Sequence, residues 1–141
     1  MNRIALYHNS HEAEYRSPFG AVACDSEVRL SLDVSGLPPD CVCSLRVWFR
    51  EVGETLIPMS PDGDEPDFQE YANPERPFFR RYTGVYTAPE TAGLAWYYFI
   101  VTCSGITRYY GNNDRNQGGE GREAFSPPPS YQLTVYEESP S

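Results

Sequence analysis

The residues best suited to chemistry are few, and they lie close to the N-terminus. His8 and His11 are the only histidines of the chain, and with Glu12 or Glu14 they could bind a metal ion. This segment has no clear helix or strand pattern to fix them, and the residues after His11-Glu12 break the pattern of a zinc protease helix. The sequence also contains no nucleophile elbow and no phosphate-binding glycine loop. We therefore expect no catalytic residue and no bound metal.

Carboxylates concentrate in an acidic, proline-rich segment that runs from Ser60 to Pro77. Its acidic side chains include Asp62, Asp64, Glu65, Asp67 and Glu70. Their spacing resembles a loose calcium loop, but the segment lacks the twelve-residue frame that ends in a bidentate glutamate. A pair of glycosidase carboxylates, which would make the domain an enzyme by itself, is a remoter interpretation. We favour a solvated surface loop without a cofactor, and calcium remains the alternative.

Aromatic side chains are the strongest signal, with 11 Tyr, 7 Phe and 2 Trp in a chain of 141 residues. Sugar rings can stack their C–H faces on such side chains while polar groups bind the sugar hydroxyls. The candidate stacking residues are Trp48, Trp96, Tyr97, Tyr109 and Tyr110, and the candidate hydroxyl partners are Asn112, Asn113 and Asp114. The competing interpretation is that most of these rings form a sheet core or an interface between domains.

Short strands must position these side chains, because apolar and polar residues alternate along several segments. In the segment 27–34 the apolar face consists of Val28, Leu30, Leu32 and Val34. In the segment 41–50 the predicted core face consists of Cys41, Cys43, Leu45, Val47 and Phe49, and the opposite face carries Trp48. Such alternation is typical of antiparallel strands that face a core on one side.

The segment 94–103 is a predicted strand without a polar face. One side carries Trp96, Tyr98, Ile100 and Thr102, and the other carries Ala95, Tyr97, Phe99, Val101 and Cys103. This predicts a core on one side and a loop, partner or ligand on the other. Ser104-Gly105 then predicts a tight hairpin turn. About seven such strands with turns between them favour one all-β domain over residues 1–141, an immunoglobulin-like antiparallel β-sandwich.

The charge of the chain excludes two classes of partner. The formal net charge is -9, and no cluster of arginines forms the basic stripe that nucleic acid or an anionic membrane surface requires. No apolar run reaches the ~18 residues of a membrane helix. The start of the chain lacks the apolar core of a signal peptide. We therefore expect a cytoplasmic protein that binds neither nucleic acid nor membrane.

The four cysteines are Cys24, Cys41, Cys43 and Cys103. Cys41 and Cys43 are two residues apart, so on a strand both thiols point to one face and do not pair easily with each other. No cysteine or histidine completes a zinc-binding spacing. We favour buried free thiols in a reducing compartment over disulfides.

Three segments carry a resemblance to a known family. The stretches YHNSHEAEYRSPFGAV (7–22), YYGNNDRNQGGEG (109–121) and PPPSYQLTVYE (127–137) resemble the N-terminal domain of bacterial glycoside hydrolases of the α-amylase family. That domain is an immunoglobulin-like sandwich, similar to family 34 carbohydrate-binding modules of neopullulanase-like enzymes. The resemblance covers about residues 4–137, and the segment 60–77 has no counterpart that we can name.

The resemblance implies that this domain is not itself catalytic. In the family, the catalytic carboxylates belong to a barrel that follows this domain, so none of them can be assigned to a residue here. The implied function is carbohydrate binding or shaping of the active-site cleft, with an α-glucan or maltooligosaccharide as ligand. The alternative is a purely structural domain that docks on its own barrel or forms a homodimer.

Overall fold

The structure is a computed structural model, which describes residues 5–18, 20–35, 41–61, 79–113, 115 and 117–137. Within these ranges it contains strands and no helix. The strands are β1 (Ala5–Tyr7), β2 (Arg16–Ser17), β3 (Val22–Ala23), β4 (Glu27–Ser35), β5 (Cys41–Phe49), β6 (Gly53–Pro58), β7 (Ser60–Pro61), β8 (Phe79–Thr87), β9 (Gly93–Cys103), β10 (Ile106–Gly111), β11 (Arg122–Ala124) and β12 (Tyr131–Tyr136). They form two sheets around one core, which confirms the predicted all-β sandwich.

The smaller sheet is built on β4 and β8, which pair antiparallel over nine residues. On the other edge of β4, β1 and β2 pair with opposite ends of the strand. The short strand β7 pairs with β8. The N-terminal segment therefore forms part of this sheet, and β1 is an edge strand.

The larger sheet is built on β9, the longest strand, with 11 residues. One edge of β9 pairs with β5, and the other pairs with β12 along its first half and with β10 along its second half. The outer neighbours are β6, β11 and β3. The pairing of β3 with β12 is parallel, so this sheet is mixed and not wholly antiparallel as predicted.

The core lies between the inner faces of the two sheets. The inner residues of β4 are Val28, Leu30, Leu32 and Val34, those of β5 are Cys43, Leu45, Val47 and Phe49, and those of β9 are Ala95, Tyr97, Phe99, Val101 and Cys103. The inner faces of β4 and β5 are those that the alternation predicts, and for β9 the structure shows that the side of Tyr97 faces the core. The turn between β9 and β10 is also confirmed, because Ser104 and Gly105 both have a positive φ, as a tight hairpin requires.

The N-terminal segment between β1 and β2 contributes large polar side chains to the interior, which its weak periodicity did not predict. The Tyr15 hydroxyl donates to the buried Asp33, and Arg81 donates to both oxygens of Asp33 at 2.7 and 3.1 Å. The Arg81 guanidinium also lies 4.6 Å from the centroid of the Tyr15 ring. The charge of Asp33 is thus paired and hydrogen-bonded, which a fully buried carboxylate requires.

The cysteine prediction is wrong for two of the four residues. Cys41 and Cys103 are directly opposite in the β5–β9 register, 4.3 Å apart at Cα, and form a disulfide. Spacing along the chain cannot reveal such a pair, because the two residues are 62 positions apart. Cys24 and Cys43 are free, and burial raises the pKa of the Cys43 thiol to about 12.

The acidic segment 60–77 lies outside the described residues, apart from the two residues of β7. The carboxylates considered as alternative calcium ligands therefore stay outside the structural description. The described residues contain no helix that is long and apolar enough to cross a membrane. The cytoplasmic location stays a prediction.

Candidate functional site

The two tryptophans lie next to each other on the outer face of the larger sheet. Trp48 of β5 is directly opposite Trp96 of β9, and Trp96 is opposite Gln132 of β12 on its other side. Residues paired in this way project from the same face of a sheet. Trp48 and Gln132 are exposed and Trp96 is half-buried. We call these three residues the tryptophan row.

The neighbouring part of this face is also aromatic. Tyr109 of β10 is half-buried, and its ring packs edge-on against Tyr98 with 5.9 Å between centroids. The guanidinium of Arg46 lies 5.1 Å from the Tyr98 ring centroid and is held by Glu54 at 2.9 Å. Tyr98 is therefore covered by its neighbours. Tyr109 lies on the outer face, as a stacking residue must, while the Tyr98 ring beside it is not free to bind a ligand.

Two of the predicted stacking residues are in the wrong place for that role. Tyr97 has no exposed surface and Tyr110 exposes 2%, because both point into the core from the inner faces of β9 and β10. Burial raises the pKa of Tyr97 above its ordinary value and raises the pKa of Tyr110 to about 12. Neither ring offers a face to a sugar, so we exclude both from the site.

A buried hydrogen-bond chain lies on the core side of the tryptophan row. His8 Nδ1 is 2.8 Å from the carbonyl oxygen of Ser31, which can only accept, so Nδ1 carries the proton. His8 Nε2 therefore accepts from the Tyr97 hydroxyl at 3.0 Å. Burial lowers the pKa of His8 from 6.5 to about 3, which keeps the ring neutral. His8 is thus a structural residue rather than the metal ligand considered from the sequence.

The two asparagines that were predicted to bind sugar hydroxyls brace the loop after β10. Asn112 Oδ1 accepts from the backbone N–H of Asn113 and of Gly118, and its Nδ2 donates to Ser130. Asn113 Oδ1 accepts from the N–H groups of residues 115 and 117, and its Nδ2 donates to two carbonyls of the same loop. Most of their hydrogen-bonding capacity is thus used internally. Asp114, the third residue that was predicted to bind sugar hydroxyls, lies outside the described residues.

Two adjoining cavities open beside the tryptophan row. The first, of about 440 Å³, is lined by Trp96, Asn112, Pro129, Ser130 and Gln132. The second, of about 320 Å³, is lined by Ser10, His11, Arg16, Gly20, Asn112, Gln117, Gly118, Tyr131 and Gln132. They share Asn112 and Gln132, and both volumes fall within the range of small-molecule sites. We call the pair the row groove.

Sequence reasoning missed the two glutamines that can bind a ligand in the row groove and considered His11 only as a metal ligand. Within the described part of the chain, the side-chain amides of Gln117 and Gln132 and the imidazole of His11 make no hydrogen bond. Alternation along β12 places Gln132 on the outer face, so its position could have been inferred. His11 and Gln117 reach the groove through loops, which carry no periodic signal.

The described residues contain no group of three or more His, Cys, Asp or Glu side chains that could hold a metal ion. His11, the histidine at the groove, is exposed and lies among neutral polar groups and Arg16. Apart from the Arg16 guanidinium, the chemistry available in the row groove is stacking and neutral hydrogen bonding.

The chain resembles characterised proteins in sequence. No family model matches it. It is 29% identical over 136 residues to the amylopullulanase of Thermoanaerobacterium thermosulfurigenes and 29% identical over 136 residues to that of Thermoanaerobacter thermohydrosulfuricus. The chain is homologous to a part of the amylopullulanases. The match covers 95% of this chain but only 7% and 8% of the two relatives.

The fold agrees with this amylopullulanase homology. A solved cyclomaltodextrinase contains a region that matches 92% of this chain with a TM-score of 0.57, over 19% of that enzyme, at 13% identity. At this identity the likeness shows the fold alone. The two findings together confirm the predicted resemblance to an N-terminal domain of an α-amylase-family enzyme.

Proposed function

We propose that this chain is a non-catalytic domain of an α-glucan-hydrolysing enzyme and that it binds α-glucan at the tryptophan row. The single observation that carries the proposal is the alignment of Trp48, Trp96 and Gln132 across three neighbouring strands on one outer face. Two aromatic rings with an amide beside them provide both contacts that a neutral sugar requires. We propose α-glucan as the ligand because the chain is homologous to a part of the amylopullulanases.

The side chains that line the row groove favour binding over hydrolysis. Glycoside hydrolysis needs two carboxyl groups on either side of the scissile bond. No described residue that lines the row groove is a carboxylate, although the chain has 20 acidic residues. The groove can therefore hold a neutral ligand, and the proposal leaves the reaction to another part of the enzyme.

The test is a titration of the chain with maltoheptaose. Both tryptophans of the chain lie in the row, so intrinsic Trp fluorescence reports on this face alone. We expect a roughly millimolar Kd, since a shallow site gains only a few kcal/mol. Trp96→Ala should weaken binding about tenfold through the lost stacking.

The matched control is Phe125→Ala, which removes a ring that is 74% exposed and lines neither cavity. This variant should bind as the unaltered chain does. Absence of any fluorescence or amide-shift change at several tens of millimolar ligand would refute carbohydrate binding.

A structural docking domain is the second candidate function. The observation that favours it is the set of exposed apolar side chains on the same face as the row, namely Val42, Leu56, Leu94 and Tyr136. Such a patch is typical of an interface, here with the catalytic barrel of the same enzyme or with a second copy. Sedimentation velocity of the chain tests the homodimer. A dimer that dissociates when Leu94→Asp is introduced, with no response to maltoheptaose, would favour this function over the first.

A further inference from the structure

We propose that the row groove is an extended site that binds at least three consecutive glucosyl units, with Trp96 at one end and His11 and Gln117 at the other. This inference rests on the proposed function and adds the length of ligand that the site selects. It follows from three features of the described residues: the connection of the two cavities, the free polar groups in the second one, and the rigidity of its walls.

The first feature is continuity. Gln132 is adjacent to Trp96 in the register and also lines the second cavity, together with His11 and Gln117. A ligand that stacks on Trp96 can therefore continue past Gln132 without leaving the surface. Each cavity reaches the volume of a small-molecule site, so the groove has room for more than one sugar ring.

The second feature is the division between used and free polar groups. Ser10 and Asn112 line the second cavity, but their side chains already hydrogen bond to the backbone of the loop 112–121. Gln117, Gln132 and His11 keep their side-chain hydrogen-bonding groups free of other described residues. These three offer both donors and acceptors, which is what a chain of sugar hydroxyls can use.

The third feature is that the walls of the second cavity are held from several sides. The Gly119 N–H donates to Ser10 Oγ at 2.7 Å, and the Tyr131 hydroxyl donates to the Gly119 carbonyl at 2.9 Å. Arg16, itself buried, donates to the backbone carbonyl of Gln132 at 3.2 Å. The N-terminal segment, the loop 112–121 and β12 are thus joined before a ligand arrives, which lowers the entropy cost of binding.

The test compares the affinities of maltose, maltotriose and maltotetraose by NMR amide shifts and Trp fluorescence. We expect maltotetraose to bind about tenfold more tightly than maltose, because additional hydrogen bonds to Gln117 and His11 each give a few-fold gain. The double variant His11→Ala, Gln117→Ala should lose this length dependence and still bind maltose. The control Arg115→Ala changes an exposed residue of the same loop that lines neither cavity and should keep it.

The outcomes separate this inference from the function on which it rests. Equal affinity for maltose and maltotetraose, with Trp fluorescence responding to both, would overturn the extended site and leave the tryptophan row as a short one. Absence of binding for every sugar would overturn both. If the double variant does not fold, the side-chain amide signals of Gln117 decide the matter in the unaltered chain, since they should shift with maltotetraose and not with maltose.

Discussion

Protonation of one buried side chain should make this domain sensitive to mild acid. His8 has no exposed surface, and its two nitrogens are used by one acceptor and one donor, the Ser31 carbonyl and the Tyr97 hydroxyl. A second ring proton would leave Nε2 facing a hydroxyl that already donates to it. The folded domain therefore keeps His8 neutral, while the unfolded chain is free to protonate it.

The magnitude follows from the two pKa values of His8. Its pKa is lowered from 6.5 to about 3 by burial, so between these values the unfolded chain binds more protons than the folded one. The free energy of unfolding must then fall as the pH falls from 6.5 towards 3. At pH 5 His8 binds almost no proton in the folded state, whereas its pKa in the unfolded chain, 6.5, lies 1.5 units above this pH. At about 1.4 kcal/mol per pH unit, the expected loss is about 2 kcal/mol.

The assay is urea unfolding at pH 7.5 and pH 5 in the His11→Gln background, where His8 is the only imidazole. The ring signals of His8 should not titrate between pH 7.5 and pH 4 while the protein stays folded. The control is His8→Gln, which removes the imidazole but keeps the carboxylates and other titrating groups. In this variant most of the difference in the free energy of unfolding between pH 7.5 and pH 5 should disappear.

Two results would refute this reasoning. One is a free energy of unfolding that is the same at pH 7.5 and pH 5 in the His11→Gln protein. The other is a His8 ring that titrates near pH 6.5 in the folded domain, which would mean that the imidazole is accessible and can accept a second proton without disrupting its two partners.

Two further perturbations test the packing. Reduction of the Cys41–Cys103 disulfide should lower the free energy of unfolding by about 4 kcal/mol, because it frees a loop of 62 residues in the unfolded chain. Urea unfolding with and without reductant measures this loss. An unchanged unfolding midpoint would contradict it. Arg81→Met should cost about 3 kcal/mol, because it leaves the buried Asp33 carboxylate without its cation. Arg46→Met should cost under ~1 kcal/mol in the same assay, because its partner Glu54 is exposed to water. Equal losses would show that burial of Asp33 does not matter.

The strands could be predicted from the sequence because their information is local. Alternation identified the inner faces of β4 and β5, and Ser104-Gly105 identified the turn between β9 and β10. The disulfide could not be found in this way, since it depends on the register of β5 against β9. The burial of His8 and Tyr15 was missed for the same reason, because their hydrogen-bond partners lie on strands far away in the chain.

The candidate site could be predicted only in part, because both faces of β9 are apolar. Alternation separated Trp96 from Tyr97 but did not say which of them faces the core. Register decides it, since Tyr97 lies opposite Val47 on the inner face and Trp96 lies opposite Trp48. The amides of Asn112 and Asn113 are a different case, since only the hydrogen bonds of the folded loop show that they brace the backbone.

The N-terminal segment connects the stability of this sandwich with its proposed site. His8 is fully buried in the core, and Ser10, His11 and Arg16 of the same segment line the second cavity. If this segment only completed the core, it would need no polar residues that face a cavity. If it were a flexible binding loop, it would not be anchored by buried side chains. The arrangement is understandable if the same residues must hold the cavity wall in a fixed position, which is what recognition of a weakly bound, flexible sugar chain demands.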